Sequence, residues 1–475
     1  MTKTEASSVS VPAMQLERRA YEEQAVAVLG PQLFTARRVL AVAPTGSGKT
    51  VVGSMLISKG QRWRRVLWLA HRAELIGQAH DRLANLGVRC GVQCAKYEEL
   101  HPEHVDRGAY CQVGSVQTIH RRKDLPDDID LIVFDEAHRA MADTYQEIAA
   151  AHPSAEVLGL TATPCRLDGR GLGDFFRVMN VLVKPSQLYG EDYLREPVTY
   201  IEDEDEVMRG LRGAKTSGGD FTSTSMRKAV DKTVLIGNVV RQAQKLAPRV
   251  AKVVYAATRE HSKKIAARFR KAGITAVHLD GDTGAKDRAR ILSNLRDGTL
   301  EIICNVDVLT EGWDLPALGA VIIARPTMSL ARLMHMIGRV QRADGPRRKI
   351  VIDHGANCSR LQHVPGEDVA WTLERGEPAR PDAEVEPRLK TCAECSAMIR
   401  WASTECPQCG AEQPTAKTRR QILDEQEAEL VRLNRARFET KRDELRRRAE
   451  MVARERGLDM SWVERVVDGE MPRTR

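Results

Sequence analysis

The stretch that decides the fold reads Ala43-Pro44-Thr45-Gly46-Ser47-Gly48-Lys49-Thr50. It follows an apolar run, 39–42, that predicts a buried strand, and it precedes an apolar stretch, 51–57, that predicts the start of a helix. A glycine-rich loop between a strand and a helix is the setting of a P-loop, where backbone N–H groups and the positive end of the helix converge on a phosphate. One departure is visible, because the pattern begins with glycine and this chain has Ala43 there.

This loop predicts a nucleoside triphosphate site. Lys49 would place its charge on the outer phosphates, and the Thr50 hydroxyl is suited to hold Mg²⁺. An ordinary glycine-rich turn is the alternative, and the strand and helix on either side disfavour it. The residues of the loop predicted to bind ATP are Thr45, Gly46, Ser47, Gly48, Lys49 and Thr50.

Length and composition limit the number of domains and the classes of function that are possible. The 475 residues suggest two to four domains, and the 42% hydrophobic content is enough for real cores. No apolar run approaches about 18 residues, so we expect no membrane span, and the polar start of the chain predicts a cytoplasmic protein. The net charge of +8 favours a polyanionic partner such as nucleic acid.

Short apolar runs alternate with polar, helix-compatible stretches along most of the chain. This alternation predicts two consecutive α/β domains, each with a parallel sheet covered by helices on both faces. A helix is predicted at 21–34. The first set of predicted strands is 39–42, 66–69, 111–116, 130–134 and 156–160, and the second set is 250–255, 276–279, 301–304, 320–323 and 349–352.

Two acidic residues follow the fourth predicted strand. Asp135 is suited to hold Mg²⁺, and Glu136 is suited to orient and deprotonate an attacking water. A simple turn is the alternative, and the P-loop upstream argues against it. Arg339 and Arg342 are three residues apart, so on a helix they would share a face and reach the γ-phosphate from the second domain. A solvated basic face is the alternative for that pair.

Further segments in order make the chain resemble superfamily 2 helicases of the DEAD/DEAH-box class over most of residues 19–355. The resemblance implies RecA-like domains, a nucleic-acid-stimulated ATPase with catalytic Lys49, Glu136, Arg339 and Arg342, and the cofactors ATP and Mg²⁺. It adds Gly312 and Asp314 to the ATP-binding residues. The matching segments, motifs I to VI with Ia and Ib, are 43–50, 69–72, 114–118, 135–138, 160–164, 255–258, 305–314 and 335–342.

By the same resemblance, several side chains at strand-to-helix turns are expected to contact nucleic acid or to couple it to ATP. An ordinary helix cap is the alternative for each of them. They are Arg72, Gln117, Thr118, His138, Thr161, Thr163, Thr258 and Thr310.

Three departures from the family pattern concern selectivity for the base of the nucleotide and the coupling of ATP hydrolysis to nucleic-acid binding. Tyr21 is followed by Glu22 where many members have the glutamine that reads adenine, so adenine selectivity through this motif is in question. His335 stands where motif VI usually opens with glutamine, and Trp313 is unusual in motif V.

Four cysteines near the C-terminus form two C-x₂-C pairs. Four thiolates on two tight turns leave no open coordination position, so they predict a structural Zn²⁺ site rather than a disulfide framework. A helicase core followed by such a module resembles bacterial RadD-type DNA-repair helicases, which suggests bacterial or phage DNA metabolism. The four predicted zinc ligands are Cys392, Cys395, Cys406 and Cys409.

The predicted architecture is α/β, with two tandem RecA-like parallel-sheet domains, a Cys₄ zinc ribbon and a charged helical tail. The tail carries apolar Leu430, Leu433 and Phe438 and is either solvated surface or a partner-binding arm. The predicted ranges are 1–18 flexible, 19–165 first domain, 166–247 less regular connector, 248–375 second domain, 376–415 linker and ribbon, and 416–475 tail.

These patterns predict a DNA helicase or translocase. Two alternatives stay open at this point. One is an ATP-gated module that clamps or loads nucleic acid without processive unwinding, and the other is the motor subunit of a restriction-type complex. A P-loop kinase is disfavoured because it would have no use for motifs V and VI.

Overall fold

The computed structural model describes residues 19–60, 62–122, 128–166, 170–201, 204–310, 312, 318–363, 365–374, 389–413, 443, 446–447, 449–451, 453–454 and 459–467. The chain divides into two compact units, Met1–Thr391 with Cys395–Trp401, and Cys392–Glu394 with Ala402–Arg475. Among the helices in these ranges, none has the length and apolar character needed to cross a membrane.

The first unit begins with a seven-stranded parallel sheet. Its strands are β1 Arg38–Val42, β2 Val66–Ala70, β3 Cys90–Gln93, β4 Cys111–Ser115, β5 Leu131–Asp135, β6 Glu156–Thr161 and β7 Val178–Val181. Their order across the sheet is β3-β4-β2-β5-β6-β1-β7. The associated helices are α1 Ala20–Ala36, α2 Lys49–Lys59, α3 Ala73–Asn85, α4 Ala95–Glu98, α5 Val116–Arg121, α6 Asp143–Ala151 and α7 Pro185–Gly190.

Alternate residues of each central strand fill cores on opposite faces of this sheet. In β1, Val39 and Ala41 belong to one hydrophobic cluster, whereas Leu40 and Val42 belong to another. All four side chains are almost completely buried. A strand covered on both faces is apolar at every position, which is why β1 appears in the sequence as a continuous apolar run.

A second parallel sheet of six strands follows in the same unit. Its strands are β8 Val198–Ile201, β11 Ala251–Ala256, β12 Ala276–Leu279, β13 Ile302–Asn305, β14 Leu318–Ala324 and β15 Ile350–Asp353, in the order β12-β13-β11-β14-β15-β8. The remaining helices of this region are α8 Glu204–Leu211, α9 Ser223–Val230, α10 Thr233–Leu246, α11 Arg259–Lys271, α12 Ala285–Arg296, α13 Leu330–Ile337 and α14 Asn357–Arg360. Two hairpins pair β9 Thr216–Ser217 with β10 Asp220–Phe221, and β16 Leu389–Thr391 with β17 Met398–Arg400.

The predicted fold class is confirmed, and all ten predicted strands are present with shifts of one or two residues at their ends. Three strands of the two sheets were not predicted, namely β3, β7 and β8, and each lies at the edge of its sheet. Edge strands are short and less buried, so their apolar signal is weak. Two of them fall in the range predicted as a less regular connector, 166–247, which therefore supplies β7 to the first sheet and β8 to the second.

The second unit is small. Its described part contains a cysteine turn, helical residues between 443 and 454, and the helix α15 Met460–Val467. In the turn, the Cys406 amide donates to the Ala411 carbonyl at 2.8 Å, and the Gly410 amide donates to the Cys406 carbonyl at 2.9 Å. Gly410 has a φ of 72°, the left-handed region that glycine occupies at little cost. Most of the predicted tail, including Leu430, Leu433 and Phe438, lies outside the described residues, as do 1–18 and the linker 375–388.

Candidate functional site

The predicted P-loop connects β1 to the N-terminus of α2. Gly46 and Gly48 have φ values of 83° and 103°, which place both in the left-handed region. A Cβ on Gly48 would also lie 2.6 Å from Glu22 Oε1. The backbone conformation therefore favours glycine at position 48, and a side chain there would also displace the Glu22 carboxylate.

Lys49 is buried at the first position of α2. Its Nζ donates to the carbonyls of Ala43 at 3.1 Å and Pro44 at 3.3 Å. Burial lowers the pKa of Lys49, and the nearby carboxylates of Glu136 and Asp135 oppose that shift. The ammonium group is thus held inside the loop, where it can exchange carbonyl partners for phosphate oxygens.

The two acidic residues lie at the carboxyl edge of the first sheet, where Asp135 ends β5. Burial raises the pKa of Asp135 to about 7, and the neighbouring Glu136 carboxylate adds to the shift. Burial also opposes ionisation of Glu136, yet hydrogen bonding to His138 and the charges of His335 and Lys49 together hold its pKa below the ordinary value.

One feature of this pair fits a bound cation. Asp135 Oδ2 is buried and has no hydrogen-bond partner among the described residues. A buried carboxylate oxygen without a donor is costly, and a divalent cation would offset that cost. Thr50, the other predicted Mg²⁺ ligand, lies in the first turn of α2.

Arg339 and Arg342 do approach this site, but the predicted shared helix face is wrong. The helix α13 ends at Ile337, and Arg342 instead forms an antiparallel bridge with Leu194. Arg339 Nε donates to the Thr310 carbonyl at 3.0 Å. The spacing rule assumes that the helix continues. Here the chain after Gly338 leaves the helix, and Arg342 pairs with Leu194, which is distant in sequence.

Charges from both domains act on the same lysine. After Glu136 and Asp135, the groups that shift the pKa of Lys49 are Arg339 and Arg342, which lower it. The Cγ atom of Arg342 lies 3.7 Å from the place where a Cβ of Gly46 would stand. The P-loop, the acidic pair and both arginines therefore converge on one point.

Gly338 sets how closely the second domain approaches the P-loop. A Cβ on Gly338 would lie 2.5 Å from the Cβ of Thr45. We expect Gly338→Val to lower kcat for ATP hydrolysis by about 10²-fold with little change in ATP binding, because misplacement by an ångström has that scale of effect. Steady-state kinetics with an ATP-binding assay measure this, and Gly284→Val, with open space around it, is the control.

A hydrogen bond joins the predicted motif III to the predicted motif VI. Thr163 Oγ1 and His335 Nε2 are 3.0 Å apart, and the rings of His138 and His335 meet edge to face at 5.2 Å. Thr161 Oγ1 accepts from the Thr163 amide at 3.1 Å and so fixes the turn. His335, a departure from the family pattern, therefore contacts both the acidic segment and the Thr161–Thr163 turn.

Arg72 reaches the second domain, and its predicted contact with nucleic acid stays a prediction. Its guanidinium donates to the carbonyls of Val308 and of Asp307, the latter at 3.1 Å. Gln78 Nε2 donates to the Gly312 carbonyl at 3.3 Å. The segment after β13 is thus connected directly to α3.

Several other predicted nucleic-acid residues act as helix caps or lie beside them. Thr258 Oγ1 accepts from the His261 amide at 3.2 Å at the start of α11. Ser115 Oγ accepts from the Thr118 amide at 3.1 Å at the start of α5, and Gln117 is exposed on that turn. Their contacts with nucleic acid stay predictions. Asp314, Glu311 and Trp313 lie outside the described residues.

Sequence reasoning missed the contacts that α1 makes with the P-loop. Tyr21 Oη and Arg19 Nη1 both donate to the Ser47 carbonyl, the latter at 2.7 Å. Glu22 is buried beside Gly48, and burial raises the pKa of its carboxyl. The Arg-x-Tyr-Glu sequence just before a predicted helix is the signal that could have pointed to this role.

The predicted connector also packs against the nucleotide loop. A hydrophobic cluster unites Tyr21 and Ala43 with Val183, Leu188 and Leu194 of the segment around α7. No sequence pattern identified this contact, because it depends on β7 leading the chain back past β1.

Three of the four cysteines predicted to bind zinc, Cys392, Cys406 and Cys409, lie in the second unit. There the Sγ atoms of Cys392 and Cys409 are 3.7 Å apart, and Gln413 Nε2 donates to Cys392 Sγ at 3.2 Å. Cysteine thiolates are the donors of a structural zinc site.

Two family models match this chain. Residues 15–166 match the type III restriction enzyme res subunit, and residues 235–344 match the helicase conserved C-terminal domain.

Relatives include a 51.5 kDa protein of a Lactococcus phage, 29% identical over 82% of this chain and 81% of the phage protein. The ATP-dependent RNA helicase DBP3 of Meyerozyma guilliermondii is 25% identical over 66% of this chain, which spans 57% of that relative. Among solved structures, the ATP-dependent type ISP restriction-modification enzyme LlaBIII bound to DNA has a TM-score of 0.51 at 18% identity, over 71% of this chain and 27% of that protein.

The last similarity concerns the fold alone, and the family models and relatives agree with it. Residues 15–166 and 235–344 carry a ResIII domain and a conserved helicase C-terminal domain, homologous to those of superfamily 2 helicases, and these similarities support ATP hydrolysis by the chain.

Proposed function

We propose that this chain is a DNA-stimulated motor, a helicase or translocase, that hydrolyses ATP between its two parallel-sheet domains. The observation that carries the proposal is the convergence of Lys49, Asp135 and Glu136 from the first domain with Arg339 and Arg342 from the second. ATP would supply the phosphoanhydride bond that is broken and the negative charge that Lys49 and the two arginines offset, and bound Mg²⁺ would offset more of that charge.

In this proposal each side chain has one task. Lys49 holds the outer phosphates, and Asp135 with Thr50 holds Mg²⁺. Glu136, kept ionised by His138 and its other neighbours, orients the attacking water and accepts its proton. The remaining nucleotide contacts come from Thr45, Gly46, Ser47 and Gly48, together with Gly312 and Asp314 from the second domain.

Hydrolysis is coupled to movement because the site is complete only when the domains meet. Two direct connections support this step, namely Thr163 to His335 and Arg72 to the carbonyls after β13. Loss of the γ-phosphate would weaken the contacts between the arginines and the nucleotide, so the two domains would separate. A nucleic-acid strand bound to both domains would then be moved by one step.

The net charge of +8 favours a nucleic-acid track, and the resemblance to RadD-type helicases favours DNA over RNA. The test is ATP hydrolysis at fixed salt without polynucleotide and then with single-stranded DNA, duplex DNA, forked DNA and RNA. Strong stimulation by a DNA supports the proposal. Hydrolysis indifferent to every polynucleotide, or stimulated by RNA alone, contradicts it.

A second candidate is the motor subunit of a restriction-type complex, favoured by the match of residues 15–166 to the res subunit model. Such a subunit would translocate on duplex DNA without separating strands. Displacement of a triplex-forming strand from duplex DNA, together with no unwinding of a fork, would favour this candidate. Unwinding with ATP, and none with a non-hydrolysable analogue, would favour the helicase.

We further propose that the four cysteines hold one structural Zn²⁺, as in the RadD-type DNA-repair helicases that the chain resembles. Cys392→Ser with Cys395→Ser is expected to lose one zinc per chain while basal ATP hydrolysis is retained. Metal analysis of the purified protein measures this, and Cys165→Ser, a buried cysteine outside the cluster, is the control. Wild-type protein purified without zinc and unable to take it up would contradict the assignment.

A further inference from the structure

Three histidines and one tyrosine form a stack of rings on the first domain, and none of them belongs to the site described above. The centroids of the His80 and His104 rings are 4.0 Å apart, with 21° between the ring planes. The His101 ring also stacks with that of His104, with centroids 5.4 Å apart, and the Tyr97 centroid lies 4.4 Å from that of His101. We call these four residues the histidine stack.

Two carboxylates flank the histidine stack. Asp81 Oδ1 is 3.2 Å from His80 Nδ1. Glu103 Oε1 is 3.4 Å from His101 Nδ1 and 3.9 Å from His104 Nε2. The potential ligand atoms of His80, Asp81 and His104 all lie within 4.8 Å of one another, and His104 forms a second such group with His101 and Glu103.

We propose that the histidine stack binds one divalent transition-metal ion of the zinc class through His80, Asp81 and His104. Imidazole nitrogens and carboxylate oxygens are ligands that Zn²⁺ accepts at about 2.0–2.2 Å. The ligand atoms lie within 4.8 Å of one another. Because a ring nitrogen binds an ion in the plane of its ring, one of the two stacked rings must turn out of the stack when the ion binds. Magnesium is disfavoured because it prefers oxygen ligands.

A hydrogen bond to Tyr97 leaves one ring nitrogen of His104 available to an ion. His104 Nδ1 is 3.0 Å from the Tyr97 hydroxyl. When Nδ1 carries the proton and donates to Tyr97, Nε2 is left free to bind the ion, as second-shell partners do in metal sites.

The proposed ligands come from two separate elements. His80 lies in α3, whereas His104 ends the short 3₁₀ helix Pro102–His104 in the crossover between β3 and β4. A bound ion would therefore fasten this crossover to α3. It can enter from solvent, because the Asp81 side chain is 64% exposed and that of His104 is 25% exposed.

The test counts metal in full-length protein that already carries its C-terminal zinc. After equilibrium dialysis against low micromolar Zn²⁺, wild-type protein is expected to gain one equivalent, and His80→Gln and His104→Gln are expected to gain none. His120→Gln removes an exposed histidine elsewhere on the same domain and should behave like wild type. Tyr97→Phe should weaken Zn²⁺ binding by about 10-fold, since loss of a second-shell partner has that effect.

A thermal readout separates metal binding from a folding defect. Zn²⁺ should raise the Tm of wild-type protein by a few degrees and leave that of the two histidine variants unchanged, because only an ion bound to the native state stabilises it. If the histidine variants do not fold, Asp81→Asn, which changes an exposed carboxylate, takes their place. The proposal is overturned if wild-type protein gains no equivalent, or if folded variants gain as much metal as wild type. Neither result depends on ATP hydrolysis.

Discussion

Replacing Arg342 by alanine is expected to lower kcat for ATP hydrolysis by about 10³-fold or more, with KM for ATP changed far less, because an arginine that meets the transferring phosphoryl group acts mainly in the transition state. Arg342 packs beside Gly46 of the P-loop, and its charge acts on Lys49. Single-turnover hydrolysis with saturating polynucleotide measures the chemical step directly.

The matched control for this variant is Arg347→Ala. Arg347 is exposed on the segment that follows Arg342, so its loss removes the same charge from the protein without touching the P-loop. Arg342→Lys separates charge from geometry, because lysine keeps the charge but lacks the planar guanidinium. A folded Arg342→Ala protein that hydrolyses ATP at the wild-type rate would contradict the catalytic role of Arg342.

Replacing Glu136 by glutamine is expected to lower kcat by about 10²–10⁴-fold while ATP still binds, because the amide keeps the shape of the side chain but cannot accept a proton. His138, His335 and Lys49 hold the Glu136 carboxyl ionised, the state that a general base needs. Rapid-quench measurement of hydrolysis, paired with ATP binding at equilibrium, distinguishes a lost base from a lost binding site.

Glu147→Gln is the control for the Glu136 variant. Glu147 lies on α6 in the same domain, is 64% exposed and pairs with His120 at the surface, so its neutralisation leaves the nucleotide site unchanged. Wild-type turnover in Glu136→Gln would contradict the assignment of the base. Loss of ATP binding would instead show that Glu136 acts through the loop structure.

The sequence predicted the central strands well because burial on both faces makes them apolar at every position. The apolar runs of β1 and β5 have this character. Because the P-loop and the Asp135–Glu136 pair directly follow these strands, the sequence also predicted their positions. The edge strands β3, β7 and β8 were missed, since an edge position needs fewer apolar residues. Because β7 was not predicted, the contact of Leu194 with the nucleotide loop was not predicted either.

The C-terminal cysteines are a case in which sequence spacing alone predicts a tertiary contact. Two C-x₂-C pairs predict a four-thiol cluster, and within the second unit the Sγ atoms of Cys392 and Cys409 are indeed 3.7 Å apart. The histidine stack shows the opposite case. His80 and His104 are distant in sequence, and only the packing of the β3–β4 crossover on α3 brings their rings to 4.0 Å.

The sequence by itself determined the two parallel sheets, the P-loop, the acidic pair at a strand end and the cysteine pairs, because each depends on neighbouring residues and on local backbone preferences. Only the tertiary structure decided that α13 ends before Arg339, that Arg342 pairs with Leu194, that Arg72 reaches the carbonyls after β13 and that His335 meets Thr163. Those contacts join residues far apart in the chain, and their geometry is fixed by how one domain packs on the other, which no local pattern records.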